Sequence, residues 1–168
     1  MDERVRSALA ITPSSSASAR TVDITTVGAK TGLDRRIEIW FYRVDGEIYL
    51  TTQPARRSWY ANLLQNPQLT VHLKSSVRAD LPATAAPVLD REERRRVFES
   101  IVADLNQPRH RAYISQPVQP VDEWVAGSPL MHVTFRDDHR STLSTTRGRP
   151  APASGYERSS SGPGAASG

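Results

Sequence analysis

Residues 36–43 alternate between two faces as a strand does, and two positions further on the chain reads Asp45-Gly46. A period of two belongs to a strand with one buried face, and Asp-Gly suits the tight turn of a β-hairpin. The alternation sets Ile37, Ile39 and Phe41 on one face and Arg36, Glu38, Trp40 and Tyr42 on the other. Residues 47–52 return as the partner strand. A chain that doubles back this sharply is committed to antiparallel pairing, because a parallel neighbour needs a crossover of a dozen residues or more.

The rest of the chain extends this pattern. Residues 21–27 are rich in β-branched side chains and end at Gly28, which opens the turn Gly28-Ala29-Lys30-Thr31-Gly32. Further strands are expected at 69–74, 77–88 and 130–135, with Pro82 implying an edge or a bulge in the second of them. Ser58 is the expected N-cap of a short helix that buries Trp59 or Tyr60 with Leu63 and Leu64 and stops at Asn66-Pro67. Asp90 with Glu93 begins a longer helix whose Val97, Phe98, Ile101, Val102 and Leu105 share one face. Glu92, Glu93, Arg94, Arg95 and Arg96 form its solvated side, and residues 122–126 suit a further helical turn. Hairpin-linked strands without regular βαβ units predict a mainly β, α+β fold: an antiparallel barrel of about six strands, one short inserted helix and one longer amphipathic helix.

A length of 168 residues suits one domain, but the mean hydropathy of -0.50 is too polar for a compact unit of that size. The ends account for the difference. Residues 1–19, with small side chains and the run Ser14-Ser15-Ser16, are expected as a flexible arm with room for a short helix over 3–10. Residues 137–168 are Ser, Thr, Arg, Pro, Gly and Ala with almost no large apolar side chain, and are expected to be a disordered tail. The folded unit is then 20–136.

The absence of cysteine excludes disulfides, thiolate nucleophiles and Cys-ligated metals. The histidines at 72, 110, 132 and 139 lack the spacing of a metal site, so no metal is expected. With no apolar run of spanning length and no apolar leader, the protein is expected in the cytoplasm, without a transmembrane segment. The charge of +4 is dispersed along the chain, and nucleic acid is not an expected partner.

Two segments carry chemistry. Residues 28–36 combine glycines, a hydroxyl and the cations Lys30, Arg35 and Arg36, a set that suits a phosphate or carboxylate, although the order is not that of a P-loop. A basic hairpin tip in water is the competing reading. Residues 53–59 place Arg56 and Arg57 immediately before a helix N-terminus, whose free N–H groups also favour an anion. The two segments flank one hairpin and, if it brings them together, can clamp one multiply charged ligand. Trp59 can cover a flat ligand face, but in a short amphipathic helix core packing is the commoner role. No carboxylate pair or nucleophile elbow is present, so any reactive group would come from a cofactor.

The runs Ile24-Thr25-Thr26-Val27-Gly28-Ala29-Lys30-Thr31-Gly32, Arg35-Arg36-Ile37-Glu38-Ile39-Trp40 and Trp59-Tyr60-Ala61-Asn62-Leu63-Leu64-Gln65-Asn66-Pro67 resemble the deazaflavin-dependent nitroreductase family. Its members are split β-barrels similar to the FMN-binding and pyridoxamine-phosphate-oxidase barrels. The resemblance covers residues 21–135 and implies binding of coenzyme F420 and hydride transfer to a small conjugated acceptor of nitro, quinone or enone type. By the same resemblance Lys30 and Arg36 hold the phosphate side, Thr31 and Gly32 of the same turn are cofactor-binding residues, and Thr51, Thr52 and Trp59 line the ring. Arg56 and Arg57 add to the same loop, and Tyr113 or an ordered water supplies a proton. FMN is the alternative cofactor, and a non-enzymatic cofactor-binding or basic interaction protein is the alternative function. Split barrels often pair through the barrel wall, and the face bearing Trp40 and Tyr42 is the candidate for a homodimer.

Overall fold

The computed structural model describes residues 1–136. Six strands, β1 (Thr21–Val27), β2 (Asp34–Val44), β3 (Glu47–Thr51), β4 (Gln68–Lys74), β5 (Arg78–Pro87) and β6 (Leu130–Phe135), close into a barrel in the order β1-β2-β3-β6-β5-β4. Every neighbouring pair is antiparallel. Asp45 and Gly46 both have positive φ, as the β2–β3 hairpin requires.

The longest strand, β2, changes partner part-way. Residues 34–40 pair with β1, and residues 41–44 pair with β3. Beyond the Phe41–Leu50 pair, therefore, β2 and β3 separate, and the ladder shows no second partner for the first half of β2. This gap is the split in the barrel.

The expected alternation holds for Ile39 and Phe41, which point into an interior cluster with Val22, Ile24, Leu50 and Met131, whereas Ile37, on the stretch of β2 without a second strand partner, is exposed. Two helices complete that cluster. Helix α3 (Ser58–Gln65) inserts Trp59 and Leu63 near the end of β1, while α1 (Glu3–Leu9) brings Val5 and Leu9, with Ile11, to its start. The N-terminal segment is thus not the flexible arm expected from its composition. Its three large apolar side chains fill a barrel end that would otherwise be wet, and α2 (Ala17–Arg20) leads directly into β1. Ser58 is the first residue of α3 rather than its cap, and Arg57 at the cap position makes no side-chain capping bond.

A second core lies outside the barrel wall. Helix α4 (Arg91–Leu105), capped by Asp90 as expected, and α5 (Val121–Gly127) pack on the outer side of β2 and β3, burying Tyr42, Val44 and Tyr49 with Phe98, Ile101 and Trp124. Truncation of Phe98 or Trp124 to alanine would cost about 3–5 kcal/mol. The Tyr42 side of β2 is therefore covered within the chain, which corrects the expectation that it is free for a homodimer. Arg94 is a further correction. It leaves the solvated side of α4 to donate to the carbonyls of Val88, Val125 and Ser128, joining α4 to the segments around α5.

Pro82 lies in the part of β5 that has a ladder partner only on the β4 side, the edge position expected of it. Its carbonyl accepts from Arg136 N–H at 3.1 Å, so its missing donor faces β6, where the ladder starts only at Ala83. No helix among the described residues is long and apolar enough to cross a membrane. The tail expected at 137–168 lies outside the described residues.

Candidate functional site

The gap between β2 and β3 opens into a cleft of about 400 Å³. Glu38, Ile39 and Trp40 form one wall, and Thr51, Thr52 and Gln53 form the other. Arg57 stands at the loop side, while Tyr113, Ile114 and Val118 close the cleft from the segment after α4. Four residues proposed from sequence, Thr51, Thr52, Arg57 and Tyr113, are thus brought together by strand separation.

Their states differ. Thr51 is buried and its hydroxyl donates to the Pro129 carbonyl at 2.5 Å, so it fixes the strand end and has no hydrogen left for a ligand. Thr52 Oγ1 is buried without a partner, as is Trp124 Nε1 in the floor. An unpaired buried hydroxyl costs about 1–3 kcal/mol, which a polar ligand atom in the cleft would relieve. Tyr113 is 68% exposed and lies at the rim. Burial pushes the Tyr42 hydroxyl above the ordinary phenol value, and that group stays protonated at neutral pH.

The turn at residues 28–32 stands outside this cleft, at the start of β2. It is tightly held: Gly28 N–H donates to Leu33 O and Gly32 N–H to Gly28 O, both at 2.8 Å, and Gly32 has φ 67°. Asn62 on α3 completes the attachment. Its Oδ1 accepts from Ala29 N–H at 2.8 Å and its Nδ2 donates to Thr26 Oγ1 at 3.1 Å. The sequence reading assigns Asn62 no role. The signal was a polar residue on the buried face shared by Trp59 and Leu63, where a lone amide needs partners.

Between the turn and the cleft runs the exposed half of β2, residues 34–38, about 15 Å of strand with one unpaired edge. Arg36 faces outward, and its Nε donates to Asp23 Oδ2 at 3.0 Å. Lys74 joins the same Asp23 at 2.6 Å and also pairs with Glu38. Hydrogen bonding from Lys74 lowers the Asp23 pKa, with Arg36 adding to the effect. Arg35 takes the other face, opposite Thr26, and with Lys30, Arg56 and Arg57 has no carboxylate partner among the described residues. Of the cations in the two segments, Lys30, Arg35, Arg56 and Arg57 are therefore unclaimed, while Arg36 is held by an acid.

Trp59 does not line the cleft. It is 4% exposed in the interior cluster, so packing takes the ring that the resemblance would place on a cofactor. Arg56 borders a different hollow, with Tyr60, Leu89 and Arg94, and Arg57 lies between that hollow and the cleft.

Residues 12–120 match the family model described as F420H(2)-dependent quinone reductase. The chain belongs to this family. It is an F420-dependent oxidoreductase with a split-barrel fold, and its cofactor is coenzyme F420. Among solved structures it is similar to a conserved hypothetical protein of Mycobacterium tuberculosis, at 22% identity over 81% of each chain with a TM-score of 0.54. It is also similar to a 5-nitroimidazole antibiotic resistance protein of Bacteroides thetaiotaomicron, at 12% identity over 80% of each chain with a TM-score of 0.54. An FAD-binding protein of Mesorhizobium loti gives 13% identity and a TM-score of 0.52 over 80% of this chain and 88% of that one. At these identities the neighbours establish the fold alone. Comparison with curated proteins gives no match.

The donor set fits an anionic, ring-bearing cofactor. Three unclaimed cations, Lys30, Arg35 and Arg57, stand in the segments that border the unpaired edge of β2, and an unpartnered hydroxyl sits in the cleft beside it.

Proposed function

We propose that F420 lies along the open edge of β2, its anionic portion toward the Lys30–Gly32 turn and Arg35, its ring toward Thr52 in the cleft. The observation that carries this reading is the separation of β2 from β3 between two cation-bearing loops. Lys30 and Arg35 supply charge-assisted hydrogen bonds, and the turn, fixed by Asn62, supplies them at little further entropic cost. Arg36 contributes through its remaining guanidinium donors while Asp23 holds its orientation. Thr31 and Gly32 shape the turn, Thr51 fixes the end of β3, and Arg56 and Arg57 extend the positive field around the ring end.

When bound, the reduced deazaflavin supplies a hydride. The chain then needs only to hold a small conjugated acceptor of quinone, nitro or enone type beside it and to admit a proton, for which Tyr113 at the rim is the candidate donor. A cytoplasmic location and pairing of two chains belong to the same reading; the cysteine-free composition suits a reducing compartment.

Titration of the purified chain with F420 and with FMN, followed by ring fluorescence at low and high salt, tests the proposal. F420 should bind more weakly at high salt, and Arg35→Ala should weaken it more than Arg36→Ala. Tight FMN binding with none of F420, or equal loss in the two arginine variants, would overturn the cofactor or the residue assignment respectively.

A further inference from the structure

A second hollow, of about 710 Å³, adjoins the cleft and shares Glu38, Trp40 and Tyr113 with it. Its other walls come from Ser16 and Ser18 in the N-terminal segment, Thr21 at the start of β1, and Lys74 and Ser75 at the end of β4.

Charge distinguishes the two spaces. The cleft side has Arg57 without a carboxylate partner, whereas the second hollow holds an ion cluster closed on itself: Lys74 donates to Asp23 at 2.6 Å and to Glu38. An ammonium has three donors, so one remains, and Glu38, well exposed, keeps a carboxylate oxygen free. Two of the neighbouring hydroxyls are engaged within the chain. Thr21 Oγ1 donates to Ala17 O at 2.7 Å, and Ser16 Oγ accepts from Ala19 N–H. The charged groups of this hollow therefore offer one ammonium donor and one carboxylate acceptor with little net charge between them, beside the hydroxyls of Ser75 and Tyr113.

The flat wall is held in place from behind. His110 packs edge-on to Trp40 with ring centroids 5.7 Å apart, and the Arg20 guanidinium lies 5.8 Å from the Trp40 ring. Both are 1% exposed, and Asp104 ties them together through an ion pair with Arg20 and a 3.3 Å approach to His110 Nε2. Burial first, then the Arg20 charge, holds His110 below the ordinary imidazole value, so this support stays neutral around pH 7. Trp40 is thus a preset aromatic surface on the rim common to both spaces.

We infer that the second hollow is the acceptor chamber, taking an uncharged, planar, oxygen-bearing molecule against Trp40 with Lys74 donating to one of its oxygens. This rests on the placement of F420 in the adjoining cleft. An anionic acceptor is disfavoured, because Asp23 and Glu38 already neutralise Lys74.

The test uses the full chain, naphthoquinone as a neutral probe and naphthoquinone sulfonate as its anionic counterpart. Three quantities are read: saturable quenching of tryptophan fluorescence by the probe without cofactor, F420 affinity from ring fluorescence, and the KM for naphthoquinone with reduced F420. Ser18→Phe fills the hollow from an exposed position and should raise both the dissociation constant read from quenching and the KM about tenfold or more, leaving F420 affinity within twofold. Lys74→Met should weaken the neutral probe about tenfold, the loss expected for one charge-assisted hydrogen bond. The sulfonate should bind the unaltered chain more weakly than the neutral probe, and Trp40→Phe should remove most of the quenchable signal. Unchanged probe binding in both Ser18→Phe and Lys74→Met, a parallel loss of F420 affinity in Ser18→Phe, or tighter binding of the sulfonate would each overturn the assignment. Failure of the unaltered chain to bind F420 would strike the cofactor placement instead. The quenching measurement needs no cofactor and would still decide this one.

Discussion

The turn between β1 and β2 and the loop between β3 and α3 both present cations on the side of the barrel where β2 begins, and they are held very differently. The turn is closed by two backbone hydrogen bonds, a positive-φ glycine and the Asn62 bridge to α3. The loop, residues 53–57, has no comparable bond among those described, and the cap position of α3 at Arg57 is unused. A fixed cation serves a ligand group that must sit in one place. A loosely held one adds field and can follow the ligand's shape. The comparison assigns precise anion recognition to the turn and accommodation to the loop.

The largest effect expected from breaking this difference comes from Asn62. Asn62→Ala strands the buried Thr26 hydroxyl and frees Ala29 N–H only if the turn lifts from α3, so it should cost about 2–3 kcal/mol in urea unfolding and weaken F420 as well. A loss of less than about 1 kcal/mol would mean that the turn holds itself.

Gly28→Ala comes next. A Cβ there would lie 2.7 Å from Thr31 Oγ1 and 3.1 Å from the Leu33 carbonyl oxygen. The hydroxyl can rotate away but the carbonyl belongs to the turn's own hydrogen bond, so a destabilisation of about 1–2 kcal/mol is expected. Adding Thr31→Ala should recover only part of it. Full recovery would show that the backbone contact is easily relaxed.

The loop should give the opposite profile. Arg57→Ala should leave stability within about 0.5 kcal/mol, because no folded-state partner is lost. F420 affinity should fall about tenfold, or about 1.4 kcal/mol. Arg56→Ala should do less, since Arg56 borders the other hollow. Equal losses of stability in the loop and turn variants, measured by the same unfolding experiment, would erase the distinction.

Legibility in the sequence followed the length scale of each interaction. The hairpin β2–β3, strand β1 and the buried face of α4 were readable because their periods of two and 3.6 lie within a single element. The two cation-bearing segments were readable too, being local clusters of residue types. What escaped depends on partners distant in the chain. Val5, Leu9 and Ile11 gain meaning only once a barrel end needs filling. Arg94 looked solvated because the carbonyls it binds, at Val125 and Ser128, arrive about thirty residues later. The division between Arg35 and Arg36 turns on Asp23, thirteen residues before Arg36. Family resemblance indicated the cofactor correctly, yet the packing of Trp59 shows why a motif position does not fix where a ring ends up.

The smallest expected effect concerns pH, and it also separates the two regions. Asp23 is held below the ordinary carboxylate range by Lys74 and Arg36, so its stabilising contribution is present above the unfolded-state value and lost as pH falls through the lower folded-state value. Acidification should therefore loosen Arg36 beside the turn while leaving Arg56 and Arg57, which have no acid partner, unaffected. In unfolding measured stepwise downward from about pH 5, Asp23→Asn should be less stable than the unaltered chain at the start and converge with it toward acid. The Arg57→Ala curve should run parallel to the unaltered chain throughout. If the Asp23→Asn curve also ran parallel, the carboxylate would carry no differential proton affinity. The acid hold on Arg36, and with it the ranking of Arg35 above Arg36 in the cofactor site, would have to be abandoned.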